Sequence, residues 1–249
     1  MTLAGQPTST RVRRRIGLAV PALSSRFGQL VQSPELATLF PDYLVLQHTV
    51  IRASVPLMQD AADRLASFDP GDRLAADLRS YLVEHIREEA GHDEWLLEDL
   101  EVLGVGREQV LAATPSPHVA AAVGAQYYWI RHHHPVAVLG YIAVLEGHPP
   151  SLVDVQGWRE RTGLPAGAFR TLEQHAGLDP SHNQDLDALL DTLALDEDHL
   201  RAICVNGLAT VRSLAHALDG LLDPPQLRHD PRLAGEVRAA VPGEAQTSA

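Results

Sequence analysis

The segment His175-Ala-Gly-Leu-Asp179-Pro-Ser-His182 decides the architecture of this chain, because it places three metal-binding side chains at positions i, i+4 and i+7. On an α-helix this spacing puts all three side chains on one face. Imidazole and carboxylate together suit iron, manganese, zinc or copper. The segment therefore predicts a metal-binding helix. The alternative is a helix–loop–helix junction in which Asp179 caps a helix that starts at Pro180 and the histidines are exposed.

A second candidate segment is Glu84-His-Ile-Arg-Glu-Glu-Ala-Gly-His92. Within it, Glu89 and His92 form a Glu-x-x-His pair, which Asp179-x-x-His182 repeats in shape. Carboxylate-x-x-His pairs on two helices, joined by single carboxylates from other helices, are how di-iron helical bundles build their centres. Taken alone, this Glu-rich stretch is also compatible with a solvated helix face.

A third candidate is Glu146, the only charged residue in the twelve-residue stretch Val-Ala-Val-Leu-Gly-Tyr-Ile-Ala-Val-Leu-Glu-Gly at 136–147. A helix that is apolar on nearly every side is buried. A buried carboxylate is usually paired, protonated or bound to a metal, because leaving it ionised and alone is costly. Glu146 therefore joins the candidate ligands, with a partly exposed helix end as the alternative.

The composition limits the classes of partner and compartment. The 249 residues carry a net charge of −12, so nucleic acid and anionic membrane surfaces would be repelled. The single Cys204 forms no internal disulfide, and no apolar run approaches the roughly 20 residues of a membrane helix. We expect a cytoplasmic protein with no nucleic-acid partner and no membrane association.

The periodicity and the Ala and Leu content predict an all-α protein. We expect a disordered N-terminus at 1–10, one helical domain at 11–224 and a flexible C-terminal tail at 225–249. The expected helices within the domain cover 42–66 with a kink at Pro56, 73–103, 116–134, 136–147, 151–161, 166–178, 180–194 and 196–222.

Together the three motifs resemble the haem-oxygenase-like di-iron oxidases and oxygenases, often called iron-containing redox enzymes. The resemblance covers about 35–220 and implies a single-domain bundle of about seven core helices. It also implies two iron ions held in the bundle core, with manganese as an alternative metal. The implied ligands are Glu89, His92, Glu146, His175, Asp179 and His182, and no catalytic residue is implied beyond them.

The resemblance implies that O₂ is a co-substrate and that an external electron donor is needed. The implied reactions are N-oxygenation, desaturation, or oxidative decarboxylation or fragmentation, and the implied substrate is a small amine, amino acid or fatty acid. It allows a homodimer. Two rival functions on the same fold are a thiaminase-II-type hydrolase and a non-catalytic metal-binding helical protein.

Several further polar residues are candidates for supporting or alternative roles. Some relatives carry a carboxylate seven residues before the His92 equivalent, where this chain has His85. His85 is therefore a candidate alternative ligand, and the other candidates for contact with the ligands are Glu88, His48 and Tyr127. The run His132-His-His134 is not expected to bind metal, because adjacent residues do not face one point on a helix.

Overall fold

The computed structural model describes residues 5–147 and 149–222, with the side chains of residues 179 and 180 excepted. This part of the chain forms eleven α-helices and two short 3-10 turns, at Pro135–Ala137 and Ala166–Phe169, and contains no β-strand. None of these helices is both long and apolar enough to cross a membrane. The helices are α1 (Thr8–Ile16), α2 (Val20–Gln32), α3 (Leu36–Leu65), α4 (Arg73–Glu89), α5 (His92–Val102), α6 (Arg107–Ala112), α7 (Pro117–His132), α8 (Val138–Leu145), α9 (Leu152–Thr162), α10 (Arg170–Thr192) and α11 (Glu197–Leu222).

The helix α8 lies at the centre of the larger of two apolar clusters. Every residue from Val138 to Val144 is buried, as expected for a helix with no polar face. The same cluster contains apolar residues of α3, α4, α7 and α11, and α8 packs mainly against α11. A second cluster joins α2, the start of α3, α5, α9 and the start of α10. Because α8 is central, Glu146 at its C-terminal end is carried into the interior.

A pair of glycines allows α8 and α11 to approach closely. A Cβ atom on Gly140 would lie 2.7 Å from the backbone nitrogen of Gly207 and closer still to the carbonyl oxygen of Ile203. Because any side chain larger than hydrogen would collide with backbone, the spacing between these two helices depends on Gly140.

The predicted single helix at 73–103 is wrong, because the chain breaks at Ala90 and Gly91 into α4 and α5. Ala90 is extended, with φ −63° and ψ 119°, and Gly91 adopts a left-handed conformation with φ 92°. Glu89 is therefore the last residue of α4 and His92 the first residue of α5.

The predicted break between helices at 166–178 and 180–194 is also wrong, because α10 continues from Arg170 to Thr192. Gly177 and Pro180 disfavour a continuous helix. Contacts at both ends outweigh this local preference. The carboxylate of Asp99 on α5 accepts a hydrogen bond from the backbone N–H of Thr171 at 2.8 Å, and α1 packs along the second half of α10.

Two further boundaries differ from the sequence prediction. The long helix α3 starts at Leu36, ahead of the predicted 42, with both Pro41 and Pro56 inside it. The expected disorder of 1–10 does not hold from Thr8 onward, because α1 begins there and Ser9 is buried against α10. The predicted C-terminal tail at 225–249 lies outside the described residues.

We predict that Gly140→Ala lowers the free energy of unfolding by about 1–3 kcal/mol, the usual cost of overpacking a core. Gly124→Ala on α7 is the control, because a Cβ there meets no atom within 4 Å. That change should be neutral or raise stability by about 0.5–1 kcal/mol, since alanine favours helix over glycine. Urea unfolding of the two variants measures the difference. Equal stability of both variants would contradict the close approach of α8 and α11.

Candidate metal centre

Four segments bring histidines and carboxylates to one place in the bundle. The end of α4 contributes His85, Glu88 and Glu89, and α5 begins with His92. Glu146 follows α8, and α10 contributes His175 and His182. In the described part of the chain these side chains form three overlapping groups whose potential ligand atoms lie within 4.8 Å of one another: His85–Glu88–His182, Glu89–His92–His175 and His85–Glu89–Glu146.

Glu89 occupies the middle of the arrangement. Its Oε2 lies 3.1 Å from Nδ1 of His92, and its Oε1 lies 3.5 Å from Nδ1 of His182. Burial opposes ionisation of this carboxyl, but the hydrogen bond and charge of His92 outweigh it and lower the pKa of Glu89. The two oxygens of Glu89 therefore face different histidines, one on α5 and one on α10.

Glu146 and His85 form the closest pair in the centre. The Nε2 of His85 lies 2.6 Å from Oε1 of Glu146, and its Nδ1 lies 3.3 Å from Oε2 of Glu88. Burial alone would lower the pKa of His85, but the hydrogen bond and charge of Glu146 raise it to about 9. His85 therefore partly neutralises Glu146 in the absence of a metal. From the sequence, His85 was a candidate for a supporting role or for an alternative ligand, and the structure places it in two of the three groups.

Neighbouring groups fix the orientation of the imidazole rings. The Nδ1 of His175 lies 2.9 Å from the carbonyl oxygen of Thr171. A carbonyl only accepts hydrogen bonds, so Nδ1 carries the proton and Nε2 is the free ligand atom. The ring of His92 stacks on Trp95 with centroids 4.1 Å apart, and that of His85 stacks on Tyr81 at 5.4 Å. Sequence reasoning missed Thr171, Trp95 and Tyr81. The only feature of the sequence that points to them is that each lies three or four residues from the histidine that it contacts.

Two buried polar atoms of the centre support a fit to metal ions. Neither Oε2 of Glu146 nor Nδ1 of His182 has a hydrogen-bond partner among the described residues. Unpaired buried polar atoms are uncommon and require an explanation such as an unseen ion. A mixed set of imidazoles and carboxylates is also suited to iron. The residues present therefore fit the two iron ions that the sequence predicts.

The remaining predicted residues have different positions. The side chain of Asp179 lies outside the described part of the chain, although its backbone belongs to α10. His48 is buried on α3 with neither ring nitrogen hydrogen-bonded to a described residue, and burial lowers its pKa. Tyr127 lies 5.2 Å from the guanidinium carbon of Arg131, on α7. Neither His48 nor Tyr127 is among the described residues that line the cavity at the centre.

A cavity of about 230 Å³ adjoins the centre, and His85, Glu89, Glu146 and His175 form part of its wall. Most of the remaining wall is apolar and comes from α2, α3, α8 and α11. No lysine or arginine is among its described lining residues. The exposed Ser24 on α2 is one of the lining residues, which places an opening of the cavity at this helix.

Comparison with known proteins identifies relatives of both sequence and fold. The sequence profile described as "Iron-containing redox enzyme" matches residues 50–216. No curated protein sequence shows significant similarity. A domain of unknown function with a haem oxygenase-like fold from Shewanella denitrificans OS217 superposes with a TM-score of 0.72 at 17% identity, covering 92% of this chain and 97% of that one. A TenA homologue from Pseudomonas syringae pv. tomato str. DC3000 superposes with a TM-score of 0.66 at 12% identity, covering 89% of this chain and 96% of that one. The haem-oxygenase-like fold expected from the sequence is confirmed.

We predict that Gly91→Ala lowers the free energy of unfolding by about 1–2 kcal/mol, because a Cβ is disfavoured at the left-handed φ of 92°. It should also reduce the iron bound per chain, since the break at this residue sets Glu89 against His92. Gly91→Asn should lose less stability and less iron than Gly91→Ala, because asparagine tolerates this conformation. Gly157→Ala in α9 is the control, with ordinary φ and no atom near its Cβ. A Gly91→Ala protein with wild-type stability and iron content would contradict this role of the break.

Proposed function

Because this chain belongs to the iron-containing redox enzyme family, we propose that it is a non-haem di-iron oxidase or oxygenase that uses O₂ to oxidise a small organic substrate. The observation that carries the proposal is the convergence of three histidine–carboxylate groups at the wall of an apolar cavity. A metal centre and a space for an organic molecule thus share one wall.

The proposed ligands are the six side chains that the sequence predicts, and His85 is a further candidate. Five of the six are members of the three groups. The sixth, Asp179, follows His175 by about one helical turn on α10. Glu89 is the candidate for a carboxylate shared by both ions. His85 is a candidate ligand because its ring contacts two carboxylates of the same centre, Glu146 and Glu88.

A bound pair of reduced irons would supply the electrons and the open coordination positions needed to activate O₂, and an external donor would restore the reduced state. The protein's own residues hold and shield this chemistry. Thr171 keeps Nε2 of His175 directed away from the helix backbone. Val138, Ile142 and Leu145 on α8 help to line the cavity and limit the access of water.

The cavity supports a substrate whose reacting part is apolar. Away from the candidate ligands, no lysine or arginine is among the described lining residues, so a substrate carboxylate there would find no cationic side chain. The polar side chains in that part of the wall are uncharged, such as Gln47, whose amide donates to the hydroxyl of Tyr43 at 2.7 Å. We propose oxidation of the hydrocarbon or amine part of an amine, amino acid or fatty acid.

The rival hydrolase is less consistent with the cavity. A thiaminase-type reaction needs a nucleophile, and the only thiol, Cys204, is buried on α11 and is not among the described residues that line the cavity. Burial also raises the pKa of Cys204, which disfavours the reactive thiolate. The second rival, a non-catalytic metal-binding protein, would bind iron but show no O₂ consumption that depends on a substrate.

We predict that Glu146→Ala and His182→Ala each sharply reduce the iron bound per chain after anaerobic loading with Fe(II). Removing either side chain takes one ligand from an ion and leaves neighbouring charges uncompensated. His133→Ala is the control, because His133 immediately follows α7 and is exposed. Iron is measured by a colorimetric assay after desalting. A His182→Ala protein that retains two irons per chain would overturn the assignment of this motif.

We predict that Ser24→Trp lowers substrate-dependent O₂ consumption and leaves the iron content unchanged, because a large side chain at this exposed lining position narrows the cavity opening. Ser25→Trp is the matched control, since the neighbouring Ser25 is exposed and does not line the cavity. An oxygen electrode compares the variants with a panel of aliphatic amines, amino acids and fatty acids. Oxygen uptake that no organic substrate stimulates would favour the non-catalytic rival.

A further inference from the structure

The N-terminal helix α1 lies outside residues 50–216, which match the family profile, yet it packs against α10, the helix that carries His175 and His182. Ser9 donates from its backbone N–H and its hydroxyl to the two carboxylate oxygens of Asp191, at 2.8 and 2.9 Å. One turn along each helix, Nε of Arg13 donates to Oδ1 of Asp187 at 2.8 Å. The two helices are therefore joined by charged and polar contacts as well as by apolar packing.

A second contact of Arg13 reaches the metal centre. Its Nη2 donates to the side-chain Oδ1 of Asn183 at 2.8 Å and to the carbonyl oxygen of the same residue at 3.3 Å. The amide nitrogen of Asn183 in turn donates to the carbonyl oxygen of Glu146. Because a guanidinium only donates and a carbonyl only accepts, these two partners determine which end of the Asn183 amide faces each of them.

The hydrogen bond between Asn183 and Glu146 joins two backbone segments that carry proposed ligands. Asn183 immediately follows His182 on α10, and Glu146 immediately follows α8. The Asn183 amide therefore ties the backbone that holds one ligand to the backbone that holds another, and Arg13 keeps the amide in the required orientation.

We infer that Arg13 is a positioning residue for the metal centre, acting through Asn183 to hold His182 and Glu146 at a fixed separation. The inference rests on the proposed metal centre. It makes α1 a part of the site although α1 supplies no ligand. Arginine suits this role because its planar fork donates to Asp187 and Asn183 at the same time, whereas a lysine presents a single point charge.

Co(II) titration of the metal-free protein, followed by visible absorption, tests this role without relying on activity. Arg13→Met should weaken Co(II) binding about tenfold or more, within the range seen when a residue that orients metal ligands is lost. It should also change the absorption band of the bound Co(II), which reports coordination geometry. Arg13→Lys should bind with intermediate affinity.

Ser9→Ala is the matched control, because it removes the hydroxyl hydrogen bond to Asp191 between the same two helices and leaves Asn183 untouched. It should lower the thermal midpoint and leave the Co(II) affinity and spectrum unchanged. If Ser9→Ala weakens Co(II) binding as much as Arg13→Met, or if Arg13→Met binds as the wild type does, Arg13 only docks α1 and the inference is wrong.

A double-mutant cycle tests whether Arg13 acts through Asn183. Asn183→Leu should weaken Co(II) binding about as much as Arg13→Met, and the double variant should bind no more weakly than Asn183→Leu alone. Independent, additive losses would overturn the inference. If Arg13→Met does not fold, Arg13→Lys and Asn183→Leu provide the comparison. A wild-type protein that binds no Co(II) would refute the metal centre itself, an outcome distinct from failure of the variants.

Discussion

The burial of Glu89 and Glu146 among histidines at an apolar cavity is the constraint on which the rest of the structure depends. Carboxylates removed from water must be compensated by positive charge or hydrogen bonds. His92 compensates Glu89 in part and lowers its pKa, while Glu146 raises the pKa of His85. Oε2 of Glu146 has no hydrogen-bond partner among the described residues, so this compensation is incomplete there. A bound cation would complete it.

The surrounding helices supply the geometry that the ligands need. Gly140 allows α8 to lie close to α11, which places Glu146 in the interior. Asp99 binds the start of α10, and Arg13 and Ser9 bind its second half, so the helix with two of the histidines is held on both sides of its glycine and proline. The stability of the scaffold and the geometry of the site are therefore linked through α10.

Much of the site was predictable because its residues recur at spacings that a helix converts into one face. The sequence predicted the all-α class and the haem-oxygenase-like fold, and it selected five side chains that the structure brings together, while the side chain of Asp179 lies outside the described part. Their binding of iron stays a prediction. The break at Gly91 was missed because the apolar period of α4 resumes in α5 with no proline between them.

The continuity of α10 and the central position of His85 could not be predicted from the sequence for a different reason. Gly177 and Pro180 are local signals for a helix end, whereas the contacts that override them come from Asp99 and Arg13, far away in the chain. His85 was predicted to be only a supporting or alternative ligand, because some relatives have a carboxylate at this position. Only the packing of α4 against the end of α8 shows that its ring meets Glu146.

Anomalous diffraction at the iron edge, from crystals grown with Fe(II) in the absence of oxygen, is the most direct test of the di-iron centre. We predict two anomalous peaks between α4, α8 and α10, about 3.5–4 Å apart as in other two-metal sites, with Glu89 between them. A single peak, or two peaks away from Glu89 and Glu146, would contradict the di-iron assignment.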